Sequence, residues 1–350
     1  GHTAIRVKDD QYGMDKVYNF GTFDFSSPFF YIRFVKGNLN YFLSVSDFEE
    51  FYVNSIVEKR KIVEQVLDIP VNEKNSIYHN LEDCYHSEAR FYRYNFFYDN
   101  CATRVRDFID PLIADTTNFC CKSFRELIGP YLANSYWLNL GINLVLGKQA
   151  DKQASSSDFM FLPSYIFDIL NQSGTVISTS VLMKGEAKTK SRIPLNLAIT
   201  GLVFLLFYSL SLIPLTRKVA YYLTHSVVAV TGILLLIISL VSENGAFEGN
   251  FNIFWTFPAF FMLILPKNIR MYAACVYVLI LAVFFFAGTF IYAGFTPVFR
   301  PVLGLLLMQN AMLPSANPFH VSKTIENIKT TKNLEMVIIH KGNIILYLRE

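Results

Sequence analysis

The chain has 350 residues, 52% of them hydrophobic, 16% aromatic and 17% charged, with a mean hydropathy of +0.32. That is too apolar for an ordinary soluble protein of this length, so a membrane-embedded part is expected. A net charge of +3 and the absence of a dense Lys/Arg run interleaved with aromatics argue against a nucleic-acid partner.

The apolar excess is uneven. Residues 1–172 mix polar and aromatic side chains, 173–192 read as a polar Ser- and Lys-containing linker, 193–313 are nearly all apolar, and 314–350 form a C-terminal tail. The opening Gly1-His2, without Met or a signal-peptide pattern, predicts that the natural N-terminus lies upstream.

In the first part, residues 1–7 read as a strand, 9–15 as a turn, 17–25 as a second strand and 39–45 as another. Ser46 with Glu49 three positions later matches a capping box and opens a helix through Tyr52. A strand is expected over 61–69, a helix over 72–84, a strand over 91–98 and a helix over 101–113. Strands first, then a strand-to-helix turn, imply an α+β domain built on an antiparallel sheet. Residues 136–146 are apolar enough to lie in a membrane interface, with a buried core helix as the equal alternative.

Cys101 ends the run Tyr94-Asn95-Phe96-Phe97-Tyr98-Asp99-Asn100-Cys101, in which an aromatic strand pattern meets an Asx pair and then a helical pattern. That puts a thiol at a helix N-terminus. Unpaired N–H groups and the positive end of the helix dipole favour an anion there, so the thiol is expected to ionise readily and act as a nucleophile. His2, at the head of a strand, is chosen as its base, because an imidazole can take the thiol proton and return it to a leaving group. The rival histidines, His79 and His86, fall in or just after a polar helical stretch, where solvent exposure is the ordinary case.

Asn19 and Asp24 stay open as the group that orients the base. Tyr98 reads as an oxyanion donor or as a core tyrosine, and Asn100 as a substrate contact or, more often for an Asx residue here, a helix cap. Arg104 and Arg106 read as ligands of a phosphate headgroup or as ordinary ion-pair arginines. The cysteines Cys84, Cys101, Cys120, Cys121 and Cys275 fit neither a zinc site nor a disulfide framework. A link from Cys84 to Cys120 or Cys121 is open, and no metal or cofactor is expected.

Residues 193–215 are long enough to cross a bilayer, which takes about 20 apolar residues. Residues 219–241 return, 251–265 form a shorter apolar stretch, 271–294 cross again, and 298–313 are short and polar enough to tilt, re-enter or only lie against the bundle. A bundle of about four to five helices follows. Arg217/Lys218 and Lys267/Arg270 fall on one side, which the positive-inside rule makes cytoplasmic, and the loop 242–252 with Glu243 and Glu248 on the other. Lys184, Lys188, Lys190 and Arg192 argue the other way, but large domains translocate largely regardless of local charge, so the N-terminal domain is placed outside. His225 with Tyr221/Tyr222 is given no role, and residues 334–348 are expected to form a hairpin.

The runs Gly1-His2-Thr3-Ala4-Ile5-Arg6-Val7, Tyr18-Asn19-Phe20-Gly21-Thr22-Phe23-Asp24-Phe25 and Arg93 through Arg104 resemble the N-terminal periplasmic domain of Bacteroides-type lipoprotein N-acyltransferases. Phe124-Arg125-Glu126-Leu127-Ile128 and Met160-Phe161-Leu162-Pro163 fit the same family, so the resemblance covers most of residues 1–170. That family is similar in layout to circularly permuted papain-like enzymes such as lecithin:retinol acyltransferase, in which a histidine precedes an Asn-Cys nucleophile. The resemblance implies an α+β, permuted papain-like Cys-His domain ahead of an α-helical transmembrane bundle, in the bacterial inner membrane with the catalytic domain on the periplasmic side. It further implies acyl transfer from a membrane lipid, a phospholipid donor or the lipoprotein's own glyceride, through a Cys101 thioester to the N-terminal amine of a diacylated lipoprotein. Two other expectations stand beside it: a membrane-anchored papain-like amidase or peptidase of the cell wall, and a non-catalytic membrane scaffold.

Overall fold

Tyr18, Phe20 and Leu43 are completely buried and anchor the core of the N-terminal half. The computed structural model describes residues 2–24, 28–110, 122–185, 193–291, 299–312, 334–340 and 343–348. Strands β1 (Ile5–Asp9), β2 (Met14–Phe23), β3 (Asn40–Asp47) and β5 (Phe91–Arg93) form an antiparallel sheet in the order β1-β2-β3-β5. Helix α1 (Phe30–Lys36) joins β2 to β3, and α2 (Phe48–Val57) follows β3. Strand β4 (Ile62–Leu67) and helix α3 (Val71–His86) precede β5, and α4 (Cys101–Ile109) comes after it. In α4, Ala102, Val105 and Ile109 recur at helical spacing and are buried in the same core as Tyr18 and Phe20. Mixed α and β elements around an antiparallel sheet, with helices after them, make the fold class α+β.

Several local expectations shift. The capping box at Ser46 does not form, because Ser46 and Asp47 are held in β3 opposite Val17 and Lys16 and α2 starts only at Phe48. The strand over 91–98 stops at Arg93, because the Asn95 side chain accepts from the N–H groups of Phe97 and Tyr98 and folds 95–99 into a tight loop. The linker 173–192 is partly a strand: β6 (Val176–Met183) pairs antiparallel with β4. Cys84 is a free thiol, while Cys120, Cys121, Lys188, Lys190 and Arg192 lie outside the described residues.

Helices α5 (Phe124–Leu132), α6 (Tyr136–Val145) and α7 (Pro163–Ser173) complete the first half. Then α8 (Ile193–Leu212), α9 (Arg217–Val241) and α12 (Lys267–Ile291) supply three helices long and apolar enough to cross a membrane. Between them, Pro258 divides the shorter apolar stretch into α10 (Ile253–Thr256) and α11 (Pro258–Ile264). Gly232 of α9 lets this break pack closely, since a Cβ there would stand 2.4 Å from the Phe257 nitrogen. The 12-residue α13 (Arg300–Ala311) packs against α12, with Leu303 and Leu306 fully buried. Gln309 Nε2 donates to Ser211 Oγ (2.9 Å) and Thr224 Oγ1 (3.2 Å), and Asn310 Nδ2 donates to His225 Nε2 (3.1 Å), which tie α13 to α8 and α9. Strands β7 (Leu334–His340) and β8 (Asn343–Leu348) form the expected hairpin.

The two halves are joined by more than the chain. Helix α6 has no buried residue: Ile142 packs on the soluble core, Leu140 and Leu144 pack on the membrane core, and Trp137 and Leu138 are exposed. This favours the interfacial reading of 136–146 over a buried core helix. The loop 242–252 docks beside it, with Gly147 N donating to Ala246 O and Lys148 N to Glu248 O, both at 2.8 Å. Asn250 Nδ2 donates to the Leu144 (2.7 Å) and Val145 (3.0 Å) carbonyls, and Arg93 pairs with Glu243 at 3.0 Å. The loop between α9 and α10 is therefore on the same side as the N-terminal domain. A Cβ at Gly147 would lie 1.9 Å from the Glu248 carbonyl oxygen, a backbone atom that cannot step aside. Gly147→Ala is expected to lower the stability of the full-length protein in detergent by about 1–3 kcal/mol. It should also speed glutamyl-endopeptidase cleavage at Glu243 and Glu248; an unchanged melting temperature and cleavage rate would refute the clamp.

Candidate functional site

The site is built outward from the first residue of α4. Asn100 is its N-cap: Oδ1 accepts from Ala102 N (2.7 Å) and Thr103 N (3.1 Å), while Asn100 N donates to Thr103 Oγ1 (2.7 Å). Its Nδ2 donates to the carbonyls of Phe96 (2.9 Å) and Phe161 (3.0 Å). Asn100 is buried and its amide is fully used inside the protein, so it is a cap and not a substrate contact. The cap also takes the Ala102 and Thr103 N–H groups, which removes them as oxyanion donors. The expectation that the opening N–H groups of this helix serve that purpose narrows to the N–H of Cys101 itself.

Cys101 meets His2, which arrives from the segment before β1. Within β2 the register slips between Asn19 and Thr22, and Gly21 sits at φ +99°, a left-handed conformation that favours glycine. This bulge turns Asn19 toward His2, whose Nε2 donates to Asn19 Oδ1 at 2.5 Å. The bond fixes the tautomer, so Nδ1 is the nitrogen left to accept the thiol proton from Cys101, to which His2 is hydrogen-bonded. Of the two orienting candidates, Asn19 therefore holds the base; Asp24 falls just past the end of β2. A Cβ on Gly21 would lie 3.6 Å from Cys101 Cβ, 3.7 Å from His2 Cε1 and 3.9 Å from the Tyr92 hydroxyl, so the bulge leaves room where the three side chains converge. His79 and His86 are exposed on α3, and His86 lies 3.4 Å from Glu82.

Tyr92, not Tyr98, brings a hydroxyl to this point. The Tyr98 ring packs on Phe97 and Phe124, and 45% of the residue is exposed. Arg104 grips Asp99 through two bonds of 2.5 and 2.8 Å, with its guanidinium 4.4 Å above the centre of the Tyr92 ring. Arg106 bonds Asp107 and the Ser157 carbonyl. Both arginines are committed to protein partners, and the headgroup reading gains no support. Gly21, Tyr92 and the Phe161 carbonyl were not singled out from sequence; the pairing of β5 with β3 and the bulge in β2 bring them in, and neither leaves a local signature.

Burial pushes the Cys101 thiol up, but the hydrogen bond and charge of His2, with the Thr3 N–H donating to sulfur, outweigh it and hold the thiol below its ordinary value. Burial likewise opposes a charged His2, yet its hydrogen bond to Cys101, the thiolate charge and Asn19 raise it above 6.5. The two shifts favour a thiolate–imidazolium pair, the reactive form of a cysteine nucleophile. His2 is nonetheless exposed and Cys101 is partly exposed, so the pair is reachable from solvent.

Alkylation of Cys101 by iodoacetamide is expected to titrate with a midpoint below about 8.5, the usual thiol value. The thiolate is present above the lowered pKa and lost as pH falls through it. In His2→Ala, burial remains while its counterweight is gone, so the midpoint should move above the usual value. Asn19→Ala should move it partway and Asp24→Ala not at all. A wild-type midpoint at or above the usual value would rule out the ion pair.

Residues 1–128 match the family model described as the Lnb N-terminal periplasmic domain. No curated protein and no solved structure gives a match. His2, Asn19, Gly21, Tyr92 and Cys101 all fall inside the matched segment, whereas α6, the Phe161 carbonyl and the loop 242–252 lie beyond it. The chain thus carries a segment that matches this periplasmic domain, followed by helices of which three are apolar and long enough to cross a membrane.

Proposed function

We propose that this protein is a cysteine acyltransferase of the Lnb type that N-acylates lipoproteins. One observation carries the reading: the Cys101–His2–Asn19 constellation sits in a domain clamped directly to membrane-spanning helices. The match of residues 1–128 to the Lnb N-terminal periplasmic domain supports the same conclusion, and in this reading the site faces the periplasm from the bacterial inner membrane. In fold terms the domain would be a permuted papain-like unit, since histidine precedes the Asn-Cys pair along the chain.

In the reaction, the Cys101 thiolate attacks the carbonyl carbon of a phospholipid acyl ester. The C–S bond forms, the carbonyl electron pair moves to oxygen, and collapse breaks the ester C–O bond while His2 hands its proton to the departing lyso-lipid alkoxide. The free α-amine of a diacylglyceryl-cysteine lipoprotein then attacks the thioester, His2 accepts its proton, and thiolate leaves with the amide formed. Dividing ester aminolysis in this way replaces one difficult step by two acyl transfers. Both substrates are anchored in the bilayer, so a site fixed at its surface meets them at high effective concentration.

The test uses the full-length protein in phospholipid vesicles. Without acceptor, intact mass and peptide mapping should find one fatty acyl group on Cys101. Addition of a diacylated lipopeptide with a free α-amine should clear the adduct and add one acyl chain to the peptide. Cys101→Ala should abolish both, a loss of at least about 10³-fold. Peptide gaining an acyl chain with the Cys101→Ala protein would overturn the proposal; release of peptide from purified cell wall by the wild type, without acylation, would favour a peptidase.

A further inference from the structure

The Tyr92 hydroxyl is buried and has no hydrogen-bond partner among the described residues, although the rest of the residue is firmly placed. A buried, unpartnered hydroxyl costs stability, on the order of 1–3 kcal/mol, and persists where it has a partner in another state. Its surroundings identify that partner. The hydroxyl lies 3.9 Å from the position a Cβ would take on Gly21, which is also 3.6 Å from Cys101 Cβ and 3.7 Å from His2 Cε1, so it borders the same point as the nucleophile and its base. Within the helix cap, Asn100 has already consumed the Ala102 and Thr103 N–H groups, so backbone donors are short.

The ring that carries the hydroxyl is immobilised from three sides. Tyr92 pairs with Tyr41 across β3 and β5, its ring centre lies 6.4 Å from Phe20 and 6.1 Å from Tyr41, and the Arg104 guanidinium covers its face. Arg104 is itself locked by Asp99, two residues before the nucleophile, so one short segment of chain sets both the thiol and the tyrosine. We propose that Tyr92 is a catalytic residue whose hydroxyl donates a hydrogen bond to the oxyanion formed when Cys101 attacks an acyl carbonyl, together with the N–H of Cys101. The inference rests on the acyl-transfer reading of Cys101. As the C–S bond forms, the carbonyl electron pair becomes a full charge on oxygen and accepts from the tyrosine; when the carbonyl reforms, the bond is released and Tyr92 has neither gained nor lost a proton. Burial, with the nearby charges of Cys101 and Asp99, keeps the phenol protonated through this cycle.

The experiment compares two reactions at the same sulfur in the full-length, detergent-solubilised protein. Acylation by 4-nitrophenyl octanoate passes through an oxyanion; alkylation by iodoacetamide does not. Tyr92→Phe keeps the ring and deletes one oxygen, so acylation should fall about 100-fold, the loss seen when one oxyanion donor is removed, while the alkylation rate and its pH profile stay unchanged. Equal losses in both reactions would mean that Tyr92 only supports the thiol, and acylation within about threefold of wild type would mean that it takes no part; either result overturns the proposal. Because the ester bypasses the lipid substrates, wild-type acylation without transfer to a lipopeptide would sink the lipoprotein reading and leave the Tyr92 result intact.

Discussion

Asn100 presents two donors and one two-lone-pair acceptor, and each is committed: Nδ2 to the carbonyls of Phe96 and Phe161, Oδ1 to the N–H groups of Ala102 and Thr103. Those four backbone groups belong to three separate pieces of chain: the loop before the nucleophile, the helix after it and the turn preceding α7. No other side chain of this size offers two donors and two acceptor directions at once. An aspartate would cap the helix and repel the two carbonyls; a serine would cap it and reach neither. The amide therefore fixes where α4 begins, and with it the position of Cys101.

From Asn100 a continuous run of packed groups leads to the membrane half. Phe161, whose carbonyl it holds, meets Phe124 at 5.1 Å, and Phe124 meets Phe97 at 4.6 Å. The next residue, Arg125, is almost fully buried and bonds Asp151 (2.6 Å), Asn143 (3.1 Å) and the carbonyls of Leu146 and Gly147 (3.2 Å each). Gly147 in turn receives the loop 242–252. Removing one partner of a buried ion pair costs about 3–5 kcal/mol, far more than an exposed pair such as Arg93–Glu243 contributes. The Arg125–Asp151 pair is thus a stronger charged link near the junction than Arg93–Glu243.

The parts of the site that were legible in the sequence are those fixed within a few residues. An Asx pair before a helical pattern is a local code, and it gave the cap, the helix start and the placement of the thiol. The choice between Asn19 and Asp24 was not local, because it turns on a bulge at Gly21 that changes which face of β2 looks at His2. Tyr92 was not legible either, because its place at the site follows from the pairing of β5 with β3, and the expected strand over 91–98 ends early where the Asn95 side chain folds 95–99 into a loop. The membrane spans were legible where about 20 apolar residues run together; the broken pair α10 and α11 was not, since its depth depends on close backbone packing at Gly232.

The stretch 173–192 read as a linker, but the contacts of α6 and of the loop 242–252 join the two halves directly, and this changes what the proposed reaction can rely on. A tethered domain would raise the encounter rate with lipid, but it would present the nucleophile at many heights and angles above the bilayer. Effective concentration then falls as the tether lengthens, and each productive encounter still has to find its orientation. A domain held by α6 and the loop 242–252 has lost that freedom during folding, before any substrate binds. Acyl transfer at a partly exposed sulfur needs this more than hydrolysis does: water arrives from any direction, whereas an ester carbonyl and then an amine, both anchored in one leaflet in the proposed reaction, must approach the same sulfur along nearly the same path.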